Sequence, residues 1–356
     1  MGRLAEGLAH AGAEVEIVSL NPRKHRADAA ATPVPVEAID IDTSRARLPG
    51  DAPFIVSRFS SNDFRDALRR ALRRFKPDIV QIESPFLLPY AGVVRDESNT
   101  KVALRSLNVE FRIWEGLAAN EGNPLRRFAL RRVAASLRKY EVRHLNAVDA
   151  MIPISAADAD DFRILGCTRP VHVVPCGITL SGIGTPEAGT VGFIGSLDFR
   201  PNQEAVRWII DELWPRIPQA RLYVAGSGAP GWLRAHGRNI EFLGQVPDAQ
   251  AFLRRMAVVI APLFAGGGMR IKVLEAMALA KPIVATTLGA GGIEIENGGD
   301  ILIADEVTSF ADSVNRLLRD PETAARIGNA ARETVRVRYD NDTLSRGLLR
   351  FYESLL

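Results

Sequence analysis

Cysteine is almost absent. Cys167 and Cys176 are the two thiols in 356 residues, too few for a disulfide framework, and they point to a reducing compartment. Histidine is equally sparse, with five scattered residues and none of the spacings that hold zinc. No apolar run approaches the length of a membrane span, and no secretory signal follows Met1. Net charge is small as well, at +3, but unevenly spread. Residues 1–186 carry 26 Lys+Arg against 22 Asp+Glu, and the remainder 19 against 20, so the first half alone is suited to an anionic surface. These absences lead to the expectation of a cytoplasmic chain, either free or peripheral at the inner face of a membrane.

What is present is an ordinary globular composition, 47% apolar and 24% charged, in a chain long enough for two hydrophobic cores. Short β-rich runs alternate with helical ones, the pattern of α/β domains with parallel sheets covered by helices. Strands are expected at Glu14–Leu20, Val34–Ile41, Asp78–Glu83, Lys101–Arg105, Asp149–Ile154 and Val171–Pro175 in the first half. In the second half they are expected at Thr190–Gly195, Arg221–Ala225, Ile240–Leu243, Val258–Ala261, Pro282–Ala285 and Ile301–Ile303. The glycine-rich stretch Gly177–Gly189 reads as a linker. The fold class is therefore α/β with two Rossmann-like doubly wound domains, residues 1–178 and 179–340, and a C-terminal helix, 341–356, packing back on the first. The first domain departs from that plan: it opens with a helix, Gly2–Ala11, where a doubly wound domain opens with a strand and a glycine-rich turn. Either the strand lies before Met1, in a longer protein, or this chain has lost a central strand; the first is favoured, because a lost strand would leave buried backbone groups unpaired on both neighbours.

Chemistry concentrates in Ala261–Thr286, APLFAGGGMRIKVLEAMALAKPIVAT. A buried strand runs into Gly266, Gly267 and Gly268, then Met269 and a helix start. Glycines allow close backbone approach to a ligand, and the first turn of a helix offers free N–H groups with partial positive charge. Arg270 and Lys272 in that first turn oppose the helix dipole unless an anion lies between. A diphosphate fits, with Arg270 as a planar fork and Lys272 as a point charge. Glu275, one turn on, is placed to accept from a ribose diol. An ordinary glycine turn with solvated charges is the plainer alternative.

These residues resemble the group 1 (family 4) retaining glycosyltransferases, which have the GT-B fold, and in particular a subgroup with the pattern GGGxRxKxLEA. The resemblance implies a nucleotide-activated sugar held in the cleft between the two domains, moved with retention to a sugar or lipid-linked acceptor without a metal or other cofactor. Relatives often carry two glutamates eight positions apart around this loop; Glu275 matches the second, and Gly267 stands at the first. Val191–Ala205 resembles the loop after the opening strand of the second domain, where relatives place an Arg and a Lys. Here Ser196 and Asn202 stand near those places, leaving Gly195 and Ser196 as diphosphate contacts and Asn202 as either a contact or a helix cap. Phe242–Val246 resembles the base-stacking loop, which assigns Leu243, Gly244 and Val246 to the base. In Arg105–Glu115, relatives have a His that reaches the C6 hydroxyl of the donor sugar; Leu107 takes its place. That implies either a donor without a C6 hydroxyl or a chain without turnover. Asn108 and Glu110 remain as candidate catalytic groups, or as caps of the following helix.

Two Asp-x-Asp strings, Asp40–Asp42 and Asp158–Asp160, read as a strand end and an acidic helix start, so no metal is implied. Two Arg-rich stretches, 62–77 and 124–147, suit an anionic membrane surface or are solvated faces. Nucleic acid is disfavoured, because no stacking aromatics accompany the arginines. The leading expectation is a glycosyltransferase. A non-catalytic sugar-nucleotide or partner-binding relative, and another GT-B enzyme such as an epimerase or a phosphorylase, are the alternatives.

Overall fold

A computed structural model describes residues 2–22, 33–44, 53–234, 239–265 and 268–356. The chain divides into two compact units, Met1–Gly177 with Asn341–Leu356, and Ile178–Asp340.

The first unit contains strands β1 (Ile17–Pro22), β2 (Val36–Ile41), β3 (Ile79–Ile82), β4 (Lys101–Ser106) and β5 (Ala150–Pro153). Its helices are α1 (Gly2–His10), α2 (Phe54–Ser57), α3 (Asn62–Phe75), α4 (Ala91–Glu97), α5 (Glu110–Ala119), α6 (Pro124–His144), α7 (Ala156–Ile164) and the returning α13 (Asn341–Glu353). Every strand pair is parallel. Alternation along β4 sends Val102 and Leu104 into a core with Leu72, Val94 and Leu137. Ala103 points the other way, into a core with Leu4 and Leu8 of α1 and Leu348 and Tyr352 of α13. Helices thus cover both faces, as the period of two requires.

The sheet of this unit is in two pieces, β1-β2 and β3-β4-β5. Among the described residues, the second edge of β1 and the outer edge of β3 have no strand partner, and both strands are mostly half-buried where β4 and β5 are buried. The strand expected at Val171–Pro175 is a correction: only an isolated bridge, Met151 to Val171, is formed. The segment runs beside β5, with Met151 N–H donating to Pro170 and His172 N–H donating to Met151. Prolines at 170 and 175 supply no N–H to extend the ladder.

The second unit contains β6 (Thr190–Ile194), β7 (Arg221–Ala225), β8 (Ile240–Gly244), β9 (Val258–Ala261), β10 (Ile283–Ala285) and β11 (Leu302–Ile303). Its helices are α8 (Arg200–Trp208), α9 (Ala249–Arg255), α10 (Ile271–Ala278), α11 (Val307–Arg319) and α12 (Pro321–Arg338). All pairings are parallel and the order is β11-β10-β9-β6-β7-β8. Phe193, Leu222, Val224 and Ile260 enter one core with Leu213 and Phe310, while Tyr223, Ala225, Val259 and Ala261 enter the other with Leu274 and Met277. The first strand, β6, lies in the middle, and strand order reverses between it and β9. This is the doubly wound arrangement, in which the crevice outside the carboxyl ends of the strands at the reversal is the ligand position.

The chain crosses between units twice, at adjacent residues. Ile178 bridges Asp340 and donates to Tyr339 at 2.8 Å, and the Asn341 amide donates to Arg3 of α1 at 2.6 Å.

Candidate functional site

At the reversal point the strand ends are tied together by backbone. Gly195 N–H donates to Ala225 at 3.0 Å, Gly226 N–H to Gly244 at 2.7 Å and Leu197 N–H to Ser227 at 2.7 Å. A Cβ at position 226 would lie 1.9 Å from the Gly195 oxygen, so the approach of these two loops requires glycine there. Ser196 and Ser227 bring their hydroxyls to 3.5 Å.

On the other side of the reversal, β9 and β10 are pinned by one hydroxyl. Buried Thr286 donates to the Leu263 carbonyl at 2.6 Å and accepts from Leu263 N–H at 3.1 Å and Gly289 N–H at 3.0 Å. Beyond it, Arg270 Nε donates to the Leu288 carbonyl at 3.2 Å. Arg270 is the N-cap residue of α10, without a side-chain cap, so it sits just before the first turn and Lys272 within it. Burial holds the Arg270 guanidinium below its ordinary range.

Lys272 joins the two sides. Its Nζ donates to Asn202 Oδ1 at 3.0 Å and lies 4.5 Å from the Phe193 ring centroid. Asn202 Nδ2 in turn donates to the Ser196 carbonyl at 2.8 Å. Burial, with Arg270 as a second cause, brings the Lys272 ammonium down to about 7. The capping alternative for Asn202 is corrected: the N-cap of α8 is Phe199, and the Asn202 amide is spent on Ser196 and Lys272.

The remaining candidates of this unit fall as follows. Gly266 and Gly267 lie outside the described residues. Gly268 has φ +76°. The Met269 carbonyl accepts from Ile271 N–H at 3.2 Å. Glu275 is half-buried on α10. Leu243 and Val246 pack partly buried against the core that holds Leu274, with Gly244 at φ +65° accepting from Gly226.

In the first unit, Leu107 follows β4 and is 39% exposed. The Asn108 carbonyl accepts from the Ser106 hydroxyl at 2.7 Å. Neither Asn108 nor Glu110 caps the next helix; the N-cap of α5 is Val109, with no side-chain bond. The cap comes from α6, where the Glu141 carboxylate accepts from Glu110 N–H at 3.1 Å and Phe111 N–H at 2.9 Å. Burial raises both Glu110 and Glu141 to about 7, Glu141 against the pull of those two N–H donors. Sequence reasoning missed Glu141. Its signal was that it is the one acid among seven cations on residues 124–147.

The Asp-x-Asp side chains serve local structure: Asp40 accepts from Asn21, Asp42 from Ser44 N–H, Asp158 from Ser155, and Asp160 pairs with Arg163. No group of three or more His, Cys, Asp or Glu that could hold a metal occurs among the described residues. Of the two basic helices, α3 is neutralised: Arg69 and Arg73 meet Glu97, Arg70 meets Glu37 and Arg74 meets Glu16. Among the described residues, α6 has no such ion pairs at Arg126, Arg127, Arg131, Arg132, Arg138 and Lys139. No helix is long and apolar enough to cross a membrane among the described residues.

Residues 1–177 match the glycosyl transferase 4-like domain and residues 188–320 the family of glycosyl transferases group 1. A stretch of 185 residues is 32% identical to phosphatidyl-myo-inositol mannosyltransferase of Mycobacterium leprae, covering 48% of each chain; the chain spans about half the length of the curated relatives it matches. Among solved structures, sucrose-phosphate synthase from Thermosynechococcus elongatus superposes with a TM-score of 0.73 at 17% identity, over 99% of this chain and 92% of that one. Anabaena Alr3699/HepE in complex with UDP gives 0.67 at 16% identity, over 96% and 100%. At such identities the likeness shows the fold, which is GT-B.

Proposed function

We propose how a member of the group 1 glycosyltransferases, the family to which this chain belongs, uses the crevice at the ends of β6 and β9: it holds the diphosphate of a nucleotide-activated sugar there and transfers the sugar, with retention and without a metal, to a sugar or lipid-linked acceptor. The observation that carries the reading is the convergence of Gly195, Ser196, Asn202, Arg270 and Lys272 at the strand-order reversal of the second unit. Arg270 and Lys272, at the start of α10, supply the basic groups for the charge that a leaving diphosphate develops, and preorganised groups of this kind stabilise such a transition state most. Glu275 takes the ribose, and Leu243, Gly244 and Val246 the base. Anabaena HepE has also been solved in complex with UDP-glucose, which supports a nucleotide-sugar donor here.

In the first unit, Asn108 and Glu110 are the polar groups for the sugar and the acceptor, and Leu107 favours a donor without a C6 hydroxyl. Glu110 is poised near neutrality, the range in which a carboxyl can exchange a proton with a reacting hydroxyl. The α6 cations without ion pairs among the described residues, with Leu125 81% and Phe128 61% exposed at the helix start, suit an anionic lipid surface, where each cation adds about 1 kcal/mol. The relative named for phosphatidyl-myo-inositol supports a lipid-linked acceptor.

Calorimetry with nucleoside diphosphates tests the diphosphate site. Arg270→Ala and Lys272→Met are each expected to weaken binding by about 1.5–3 kcal/mol, the range of charge-assisted hydrogen bonds. Affinities unchanged in both variants would remove the reading.

A further inference from the structure

Asn202 is 9% exposed, and its amide has one workable orientation. Nδ2 must donate to the Ser196 carbonyl, which leaves Oδ1 toward Lys272; a flipped amide would oppose oxygen to oxygen on one side and two donors on the other. A Cβ at position 195 would lie 2.9 Å from the Asn202 amide, so Gly195 is what lets the side chain lie across the loop. The amide therefore fixes the Lys272 amine at one end of its reach, under the Phe193 ring. The groups facing the amine from α8 and β6 are Asn202 and Phe193, neither of which titrates. The charged group that acts on it is Arg270, from its own segment. Ring and amide oxygen favour the ammonium, but lost solvent and the neighbouring guanidinium oppose it and prevail.

We propose that Asn202 is the positioning residue of Lys272, and that binding of the donor diphosphate draws one proton from solvent onto the Lys272 amine. The inference rests on the diphosphate reading above. An entering diphosphate brings negative charge beside Lys272 and Arg270, so the amine, partly neutral in the ligand-free protein, becomes a full ammonium. The amine lone pair takes the proton and buffer supplies it.

The linkage has a definite sign. Binding takes up protons above the ligand-free value of about 7, so affinity falls as pH rises through that value and is flat below it, weakening roughly fifteenfold between about pH 7 and 8.5. The experiment is titration calorimetry with UDP-glucose and GDP-mannose, whose diphosphate diesters do not titrate near neutrality, in HEPES and in Tris at about pH 7.5. The difference in apparent enthalpy gives the protons taken up. About three-quarters of a proton per donor is expected, and close to none in Lys272→Met. Asn202→Leu frees the amine to reach solvent, so both the uptake and the affinity should fall. A merely structural asparagine would lower thermal stability and leave the proton number alone. Binding without uptake in the wild type, or wild-type uptake in Asn202→Leu, overturns the proposal and leaves the diphosphate site standing. Failure of the wild type to bind either donor, and also UDP-xylose, which has no C6 hydroxyl, overturns both.

Discussion

Thr286→Val replaces one hydroxyl by a methyl of the same shape, at a residue only 2% exposed. The lost oxygen serves three backbone groups: it donates to the Leu263 carbonyl and accepts from Leu263 N–H and Gly289 N–H. Water has little access; Leu263 N–H keeps a second acceptor, the Ala261 carbonyl at 3.1 Å, whereas Gly289 N–H loses the one it has in Thr286. A buried donor left unsatisfied costs about 1–3 kcal/mol, which puts the variant about 1–3 kcal/mol below wild type. That is a large share of the roughly 5–15 kcal/mol of a typical domain, so urea unfolding, with its midpoint and slope, is the suitable assay. Thr286→Ser keeps the oxygen and should stay within about 1.5 kcal/mol of wild type, the cost of one methyl group. The effect should extend to the ligand. Leu263 leads into the glycine loop, and Leu288, next to Gly289, accepts from Arg270, so loosening this pin should weaken nucleotide binding as well. If Thr286→Val unfolds within about 1 kcal/mol of wild type, the hydroxyl is not what holds the ends of β9 and β10.

Further outcomes can be stated for the other elements. Glu110 and Glu141 are raised to about 7, above their ordinary value, so their contribution to stability is present below the unfolded carboxylate range and is lost as pH rises through about 7. Denaturation midpoints of wild type should therefore fall relative to Glu141→Gln between about pH 5 and 7.5, and parallel profiles would refute the burial argument. Docking of α6 on lipid predicts binding to anionic vesicles that weakens with salt and is lost in Arg131→Glu/Arg138→Glu; salt-insensitive binding, or none at low salt, counts against it. Donors lacking a C6 hydroxyl should be used about tenfold better than matched hexoses, since an unpartnered buried hydroxyl costs about 1–3 kcal/mol, with Leu107→His narrowing the gap; equal use in a paired-donor assay would sink that assignment. Transfer and donor binding should survive a chelator, and strict dependence on magnesium or manganese would contradict the metal-free reading.

The sequence by itself determined the alternation of parallel strands with helices, the strand positions of the second unit to within a residue or two, and the diphosphate candidates Arg270 and Lys272. Those are local matters. Periodicity, glycine placement and the conflict of cations with a helix dipole are settled by neighbours a few residues away. Only the tertiary structure decided which side chains meet. Lys272 finds its acceptor at Asn202, 70 residues earlier, because β6 and β9 become neighbours in the sheet. Glu141 caps a helix that starts 31 residues before it. The two arginine-rich helices look alike in sequence, yet α3 is neutralised by Glu16, Glu37 and Glu97, all lying outside that helix. The strand expected at Val171–Pro175 failed for a related reason: its apolar residues are right for an edge, but a ladder is made by two chains, and prolines at 170 and 175 withhold N–H groups from the partner. A chain's own pattern says which face is apolar; the order of the strands says which charge lies opposite which, and that order is set by the packing of all the elements at once.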